Sequence, residues 1–283
     1  MKTKLLAGLL LLFIFLKVDI SIAMVGSEDV YQVSIGKNIP FFKMISDVKN
    51  ADFIFVGEVH NSIENHRQEL EIIRALHESN VQLSIGLEMF RAESQKALDE
   101  WVKGTLPLEA FLPVYYDNWH VAWPMYRDIF IYAQEHHIPL IGLNVPDSII
   151  ADVARKGFDS LSDEERQQLP RGITCDVDPT YMEFIRKAYA GHNMKTDSLF
   201  LNFCEAQMVW DKSMAAHLIG YRKQHHVRTV VVLAGIGHAW KRGIPEQLAR
   251  EAKFTVKSVL PIVPGQIEMD RVAIEDTDYV LLH

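Results

Sequence analysis

The sequence predicts an α/β protein: a mostly parallel sheet flanked by helices, with a helical insertion subdomain. Three observations predict it. Nearly continuous apolar runs recur at 53–56, 81–87, 139–143 and 229–233, and strands apolar on both faces must be covered on both, as parallel sheets are. Helical patterns with steps of three and four alternate with those runs. The runs end directly in polar residues or glycine: Glu58, His60, Glu88, Asn144 and His238 all follow strands. In this architecture ligands bind beyond the carboxyl ends of the strands.

Composition permits such a core. The 283 residues are 48% apolar and 23% charged, with 15 Gly and 11 Pro, which argues against disorder, collagen repeats and a coiled coil. A formal charge of -8 argues against a nucleic-acid binder, for which a basic face is expected. Two cysteines, Cys175 and Cys204, can make neither a disulfide-rich scaffold nor a four-thiolate zinc site.

Lys2 and Lys4 precede the apolar run Leu5 to Leu16, and Ser21-Ile22-Ala23 follows. That is the layout of a secretory signal peptide over residues 1–23. The run is 12 residues long, against about 20 for a spanning helix. Cleavage leaves 26 basic against 36 acidic groups, a charge of -10. No cysteine lies near the cleavage point, so nothing supports a lipid-modified terminus. Export also permits, without demanding, a Cys175–Cys204 bridge.

Phe53 to Val56 reads as the first strand and 62–78 as an amphipathic helix, with Ile63, His66, Leu70, Ile73 and His77 on one face. Val81 to Leu87 is the second strand, followed by a helix near 92–103 and another over 123–137. The third strand, 139–143, ends at Asn144. Residues 145–227 hold no convincing strand but four helical patterns, at 147–156, 161–169, 179–190 and 197–224. This is too long for an ordinary crossover and reads as an insertion folding over the crevice. Thr229 to Leu233 is the strongest strand, Pro245 opens a helix, and strands near 254–260 and 278–282 complete the sheet. The expected organisation is therefore an α/β core of 24–144 and 228–283 around an insertion of 145–227.

Glu58-Val59-His60 is the sharpest local motif. A carboxylate and an imidazole two residues apart after a glycine turn can bind a metal, or the carboxylate can orient the imidazole as a base; they can also simply cap the next helix. Gly235-Ile236-Gly237-His238 either brings backbone N–H groups to an anion or makes a tight turn exposing His238. It is no dinucleotide fingerprint, since Trp240 stands where the third glycine would fall. Glu88 ends an apolar strand, as a partner to His60 or His238 or as a salt bridge to Arg91 or Arg67. His66 reads as a hydrogen-bonded core residue, and the pairs His136-His137 and His225-His226 as solvated helix ends. Gln207 and His217 interrupt an apolar stripe with Asp211 just off it, either as a hydrogen-bonded core network or, if that face overlooks the crevice, as groups that support the site. Tyr181, Tyr189 and His192 lie on or beside an aromatic helical stripe that is either core or, through a tyrosinate, a ligand for ferric haem.

Taken in order, Phe-Val-Gly-Glu-Val-His (55–60), Gly-Leu-Glu-Met-Phe (86–90), Asn-Trp (118–119), Leu-Asn-Val-Pro (143–146), Ala-Gln-Met-Val-Trp-Asp-Lys-Ser-Met-Ala (206–215), Leu-Ala-Gly-Ile-Gly-His (233–238) and Gly-Ile-Pro (243–245) resemble the ChaN family of bacterial haem-binding, iron-regulated proteins. The resemblance covers most of 51–250. It implies an exported haem binder, able to dimerise around two stacked haems with a tyrosine on the iron and a histidine of the other subunit at the propionates. Tyr181, Tyr189 and His192 are then the haem candidates. The group is also similar to a wider superfamily of erythromycin esterases and Tiki-type proteases, where Glu58, His60, Glu88 and His238 match a hydrolytic centre.

Two expectations follow. The first is an exported protein of the periplasm or outer-membrane periphery that binds haem and passes it to or from membrane haem-uptake machinery. The second is a hydrolase using Glu58, His60, Glu88 and His238, with Glu58, His60 and His238 as ligands if a divalent metal takes part.

Overall fold

The computed structural model of the chain describes residues 29–190 and 197–282; the signal-peptide segment and His192 lie outside them. In chain order the elements are β1 (Val30–Gln32), β2 (Lys37–Ile39), α1 (Phe41–Val48), β3 (Phe53–Glu58), α2 (Ile63–Glu78), β4 (Leu83–Arg91), α3 (Gln95–Val102), α4 (Leu108–Asn118), α5 (Trp123–Glu135) and β5 (Leu140–Asn144). There follow α6 (Asp147–Lys156), α7 (Asp163–Gln167), α8 (Pro179–Ala190), α9 (Asp197–Gln224), β6 (Thr229–Gly235), α10 (Ile236–Ala239), α11 (Ile244–Glu251), β7 (Val256–Pro261) and β8 (Tyr279–Leu281).

The strands form one sheet in the order β2-β1-β8-β7-β3-β6-β4-β5. Pairings from β8 to β5 are parallel, while β1 and β2 add an antiparallel edge. Side chains alternate along a strand, so each strand feeds two cores. Ile54, Val56, Val231 and Leu233 pack with α2 and α5 on one face. Phe53, Phe55, Val230 and Val232 pack with α6, α9 and α11 on the other. The helices of the long crossover thus share the sheet's second core rather than building one of their own. A Cys175–Cys204 disulfide ties the segment after α7 to α9. Among the described residues no helix is long and apolar enough to cross a membrane.

The topology fixes where a ligand can enter. β3 passes through α2 to β4 on one side, whereas β6, inserted between those two strands, passes through α11 to β7 on the other. The crossovers from β3 and from β6 run in opposite directions along the sheet, and at this boundary the connections leave a crevice beyond the strands' carboxyl ends. Glu58 at the end of β3 pairs in register with Gly235 at the end of β6. The β4–β5 pairing shifts register between Leu87 and Arg91, an irregularity of the kind that re-aims a side chain beside a site, and Glu88 lies within it.

The close approach of β5 to β4 requires glycine at 142, because a Cβ there would collide with the Arg91 carbonyl. Gly142→Ala is expected to cost about 1–3 kcal/mol and to lower the melting temperature by roughly 3–10 °C, read by calorimetry. An unchanged melting temperature would mean that β4 and β5 are not held this closely.

Candidate functional site: two carboxylate–imidazole pairs at the strand ends

The Glu58-Val59-His60 turn places its carboxylate indoors and its imidazole at the rim. Glu58 is 1% exposed, and its Oε1 accepts from His60 Nδ1 at 2.7 Å and from the Tyr126 hydroxyl of α5 at 2.5 Å. The capping role that the motif also allowed falls to Ser62, whose Oγ accepts from Asn65 N at 3.3 Å. Burial alone would push the Glu58 carboxyl up, but the His60 hydrogen bond and the close His66 imidazole outweigh it and hold the group down at about 2. His60 keeps 40% of its side chain exposed and packs edge-on against Trp119, 4.9 Å between centroids. Burial lowers its pKa, yet the Glu58 hydrogen bond and the Glu88 charge more than compensate, so the imidazole is raised.

Across the crevice, His238 follows β6 in the short helix α10 and is buried. Its Nδ1 is 2.6 Å from Asp211 Oδ1 on α9, and Asp211 Oδ2 accepts from the Tyr181 hydroxyl of α8 at 2.7 Å. Desolvation opposes charge on His238, but Glu88 and Asp211 together lift it to about 9. Glu88 stands between the two pairs. Its Oε2 accepts from Gly235 N at 2.6 Å, and its Oε1 is 3.8 Å from His238 Nε2. A Cβ at Gly235 would lie 2.9 Å from the His60 ring and 3.7 Å from Glu88 Oε2, so glycine there lets both reach the same spot. Neither arginine proposed for Glu88 takes it: Arg91 pairs with Glu93 and Asp117, and Arg67 with Glu64.

Glu58, His60, Glu88 and His238 therefore converge on one rim. Asn144 donates to the Glu88 carbonyl at 2.9 Å and caps its own turn, which is a supporting role. His217 bonds the Leu143 carbonyl at 2.6 Å. His66 is buried, 3.1 Å from Glu58 Oε2. His136, His137, His225 and His226 are exposed at helix ends. Tyr181, a haem candidate by resemblance, is 1% exposed with its proton engaged by Asp211, and it presents no face to a porphyrin in this arrangement. Tyr189 is buried between Phe200 and Phe203. Asp211, which the sequence places just off the stripe of α9 that Gln207 and His217 interrupt, is the anchor of His238; the pairing itself has no local signal in the sequence.

Fold and site together define an α/β protein with an ionisable crevice at the carboxyl ends of parallel strands. The chain belongs to the family described as "Haem-binding uptake, Tiki superfamily, ChaN", which it matches over residues 44–248. The structure of Campylobacter jejuni ChaN with cofacially bound haem superposes with a TM-score of 0.70 at 22% identity, covering 89% of this chain and 94% of that one. An open-conformation structure of the erythromycin esterase EreC gives a TM-score of 0.49 at 13% identity, over 82% of this chain and 76% of that one. No curated protein sequence matches the chain.

A histidine raised in the folded state stabilises the fold fully below its unfolded pKa of about 6.5, and that contribution is lost as pH rises through about 9. Asp211→Asn removes one of the two anions responsible. The NMR titration midpoint of His238 is expected to drop by about one unit or more, with stability becoming flatter between pH 6.5 and 9. A midpoint that stays near 9 would show that Asp211 does not charge this ring.

Proposed function

We propose that the protein binds haem as cargo, outside the cytoplasm after export, and hands it to or from membrane haem-uptake machinery. Membership of the haem-binding family over 44–248 carries this reading. The chain also offers a residue that suits the group. A tyrosine ligates ferric iron as phenolate, so its hydroxyl must be reachable and its proton unclaimed. Of the nine tyrosines, Tyr116 is the exposed one, at 44%. Its oxygen accepts from Trp123 N at 3.1 Å, and its own proton has no acceptor among the described residues.

The surroundings suit a porphyrin. Leu108, Leu112 and Tyr116 follow steps of four along α4 and so share one face; Leu108 and Tyr116 are exposed and Leu112 is half-buried. Trp119, the extended residue that ends α4, lies edge-on against His60. Covering the second face of a haem bound at such an open surface calls for a second copy of the chain, consistent with the cofacial binding described for the Campylobacter protein. Tyr181 serves as iron ligand only after leaving Asp211, and Tyr189 only after leaving its aromatic cluster.

Ferric haem titrated into the purified protein should give a saturable, high-spin, tyrosinate-like visible spectrum. Tyr116→Phe is expected to weaken binding at least about tenfold, some 1.4 kcal/mol, while Tyr181→Phe and Tyr189→Phe retain it. Loss in Tyr181→Phe instead would move the ligand there, and the absence of saturable binding would sink the haem reading.

The two carboxylate–imidazole pairs facing Glu88 favour a second reading, hydrolysis. His60, reachable and oriented by Glu58, would take the proton of an attacking water, while the charged His238 would stabilise developing negative charge. His60→Ala should lower turnover of a responsive ester or peptide substrate by about 10²-fold or more and leave haem affinity unchanged. Equal turnover in His60→Ala and wild type would remove this reading.

A further inference from the structure

Glu58 turns its second oxygen away from the crevice, into the interior. Behind it, α2 presents His66 and Glu69, three residues apart and therefore on the same helix face. A carboxylate oxygen of Glu58, an imidazole nitrogen of His66 and a carboxylate oxygen of Glu69 all lie within 4.8 Å of one another. All three residues are buried, at 1%, 3% and 0% exposure. Glu58 Oε2, both Glu69 oxygens and both His66 nitrogens lack a hydrogen-bond partner among the described residues. His66 Nε2 comes within 3.1 Å of Glu58 Oε2, but the two are not aligned for a hydrogen bond.

Such an arrangement is costly unless something fills it. A buried ionised carboxylate without a partner loses several kcal/mol of solvation. A shared proton between Glu58 and Glu69 would satisfy two of these five atoms and leave the imidazole unmatched. A single cation engages both carboxylates and the imidazole together, and a charge of +2 neutralises the pair. One imidazole with two carboxylates is a mixed nitrogen and oxygen donor set, suited to manganese, iron or zinc rather than to a soft thiophilic ion. Supporting contacts are in place as well: Tyr126 holds Glu58 Oε1 at 2.5 Å and lays its ring against His66, 4.1 Å between centroids, which is how outer groups fix metal ligands.

We propose that Glu58, His66 and Glu69 form a site for one divalent first-row transition-metal ion, set behind the crevice and separate from any haem surface. This site differs from one built of Glu58, His60 and His238, because His60 and His238 face the opposite side of Glu58 or lie across the crevice. It does not depend on the haem reading.

The test is metal content by plasma mass spectrometry on the purified protein, as isolated and after loading with Mn²⁺ or Zn²⁺ followed by desalting, with thermal melting alongside. Wild type should retain about one ion per chain and melt higher when loaded. Glu69→Gln keeps the shape and removes one ligand charge; it should lose retained metal at least tenfold and no longer respond to added ion, yet melt without metal at or above the wild-type temperature. His238→Ala should retain the ion. Failure of wild type to hold or be stabilised by any of these ions would overturn the proposal, as would equal retention by Glu69→Gln. Loss in His238→Ala with retention in Glu69→Gln would place the ion in the crevice and also overturn it.

Discussion

One buried carboxylate organises this molecule. Glu58 ends the central strand β3 with almost no exposure, where an unpaired charge would cost several kcal/mol. The fold meets part of that cost by bringing hydrogen-bond partners to one oxygen, His60 from the following turn and Tyr126 from α5, and by setting the His66 imidazole of α2 close to the other. Each partner fixes the element that carries it relative to the sheet. The chemistry at the rim and the packing of the first face are thus set by the same residue, and neither can drift without exposing or orphaning the other.

The second pair, Asp211 with His238, repeats the device with different parts. Here the carboxylate arrives from α9 and is itself held by Tyr181 of α8. The helices between β5 and β6 therefore do more than cover the crevice. With Glu88 of β4 they supply the anions that raise His238, and their apolar sides complete the sheet's second core. Moving α8 or α9 away would change the protonation of the rim as well as its accessibility.

Much of this was legible in the sequence. Apolar runs ending in Gly-Glu or Gly-x-Gly-His mark strands whose carboxyl ends carry function, and the parallel architecture then forces Glu58, Glu88 and His238 toward one edge. The helical patterns of 147–224 reappear as α6 to α9 with small shifts at their ends. The antiparallel edge of β1 and β2 is too short to leave a pattern, and α4 carries Pro113 within it, which masks its period. Long-range pairings were beyond reach for a different reason. Nothing local says that Tyr181 reaches Asp211, 30 positions away, or that His66 and Glu69 meet Glu58 rather than each other. The aromatic stripe that marked Tyr181 as a ligand is the same stripe that buries it.

The proposed haem surface and the ionisable crevice make opposite demands on a tyrosine. A tyrosine serving iron must be reachable, while a tyrosine supporting a charged histidine must be sealed from water, where its bond to Asp211 is stronger. One side chain cannot do both without moving. The chain has tyrosines in each setting: Tyr181 within the core and Tyr116 on the exposed face of α4. Between the latter and the crevice stands Trp119, the extended residue that ends α4, in edge contact with His60. A planar ligand seated along α4 would press on that indole, and the imidazole it touches is the rim residue held by Glu58. The proposed haem face and the crevice would be adjacent through Trp119 and still chemically separate, because the crevice draws its charge from the interior and the α4 face draws its apolar surface from the outside.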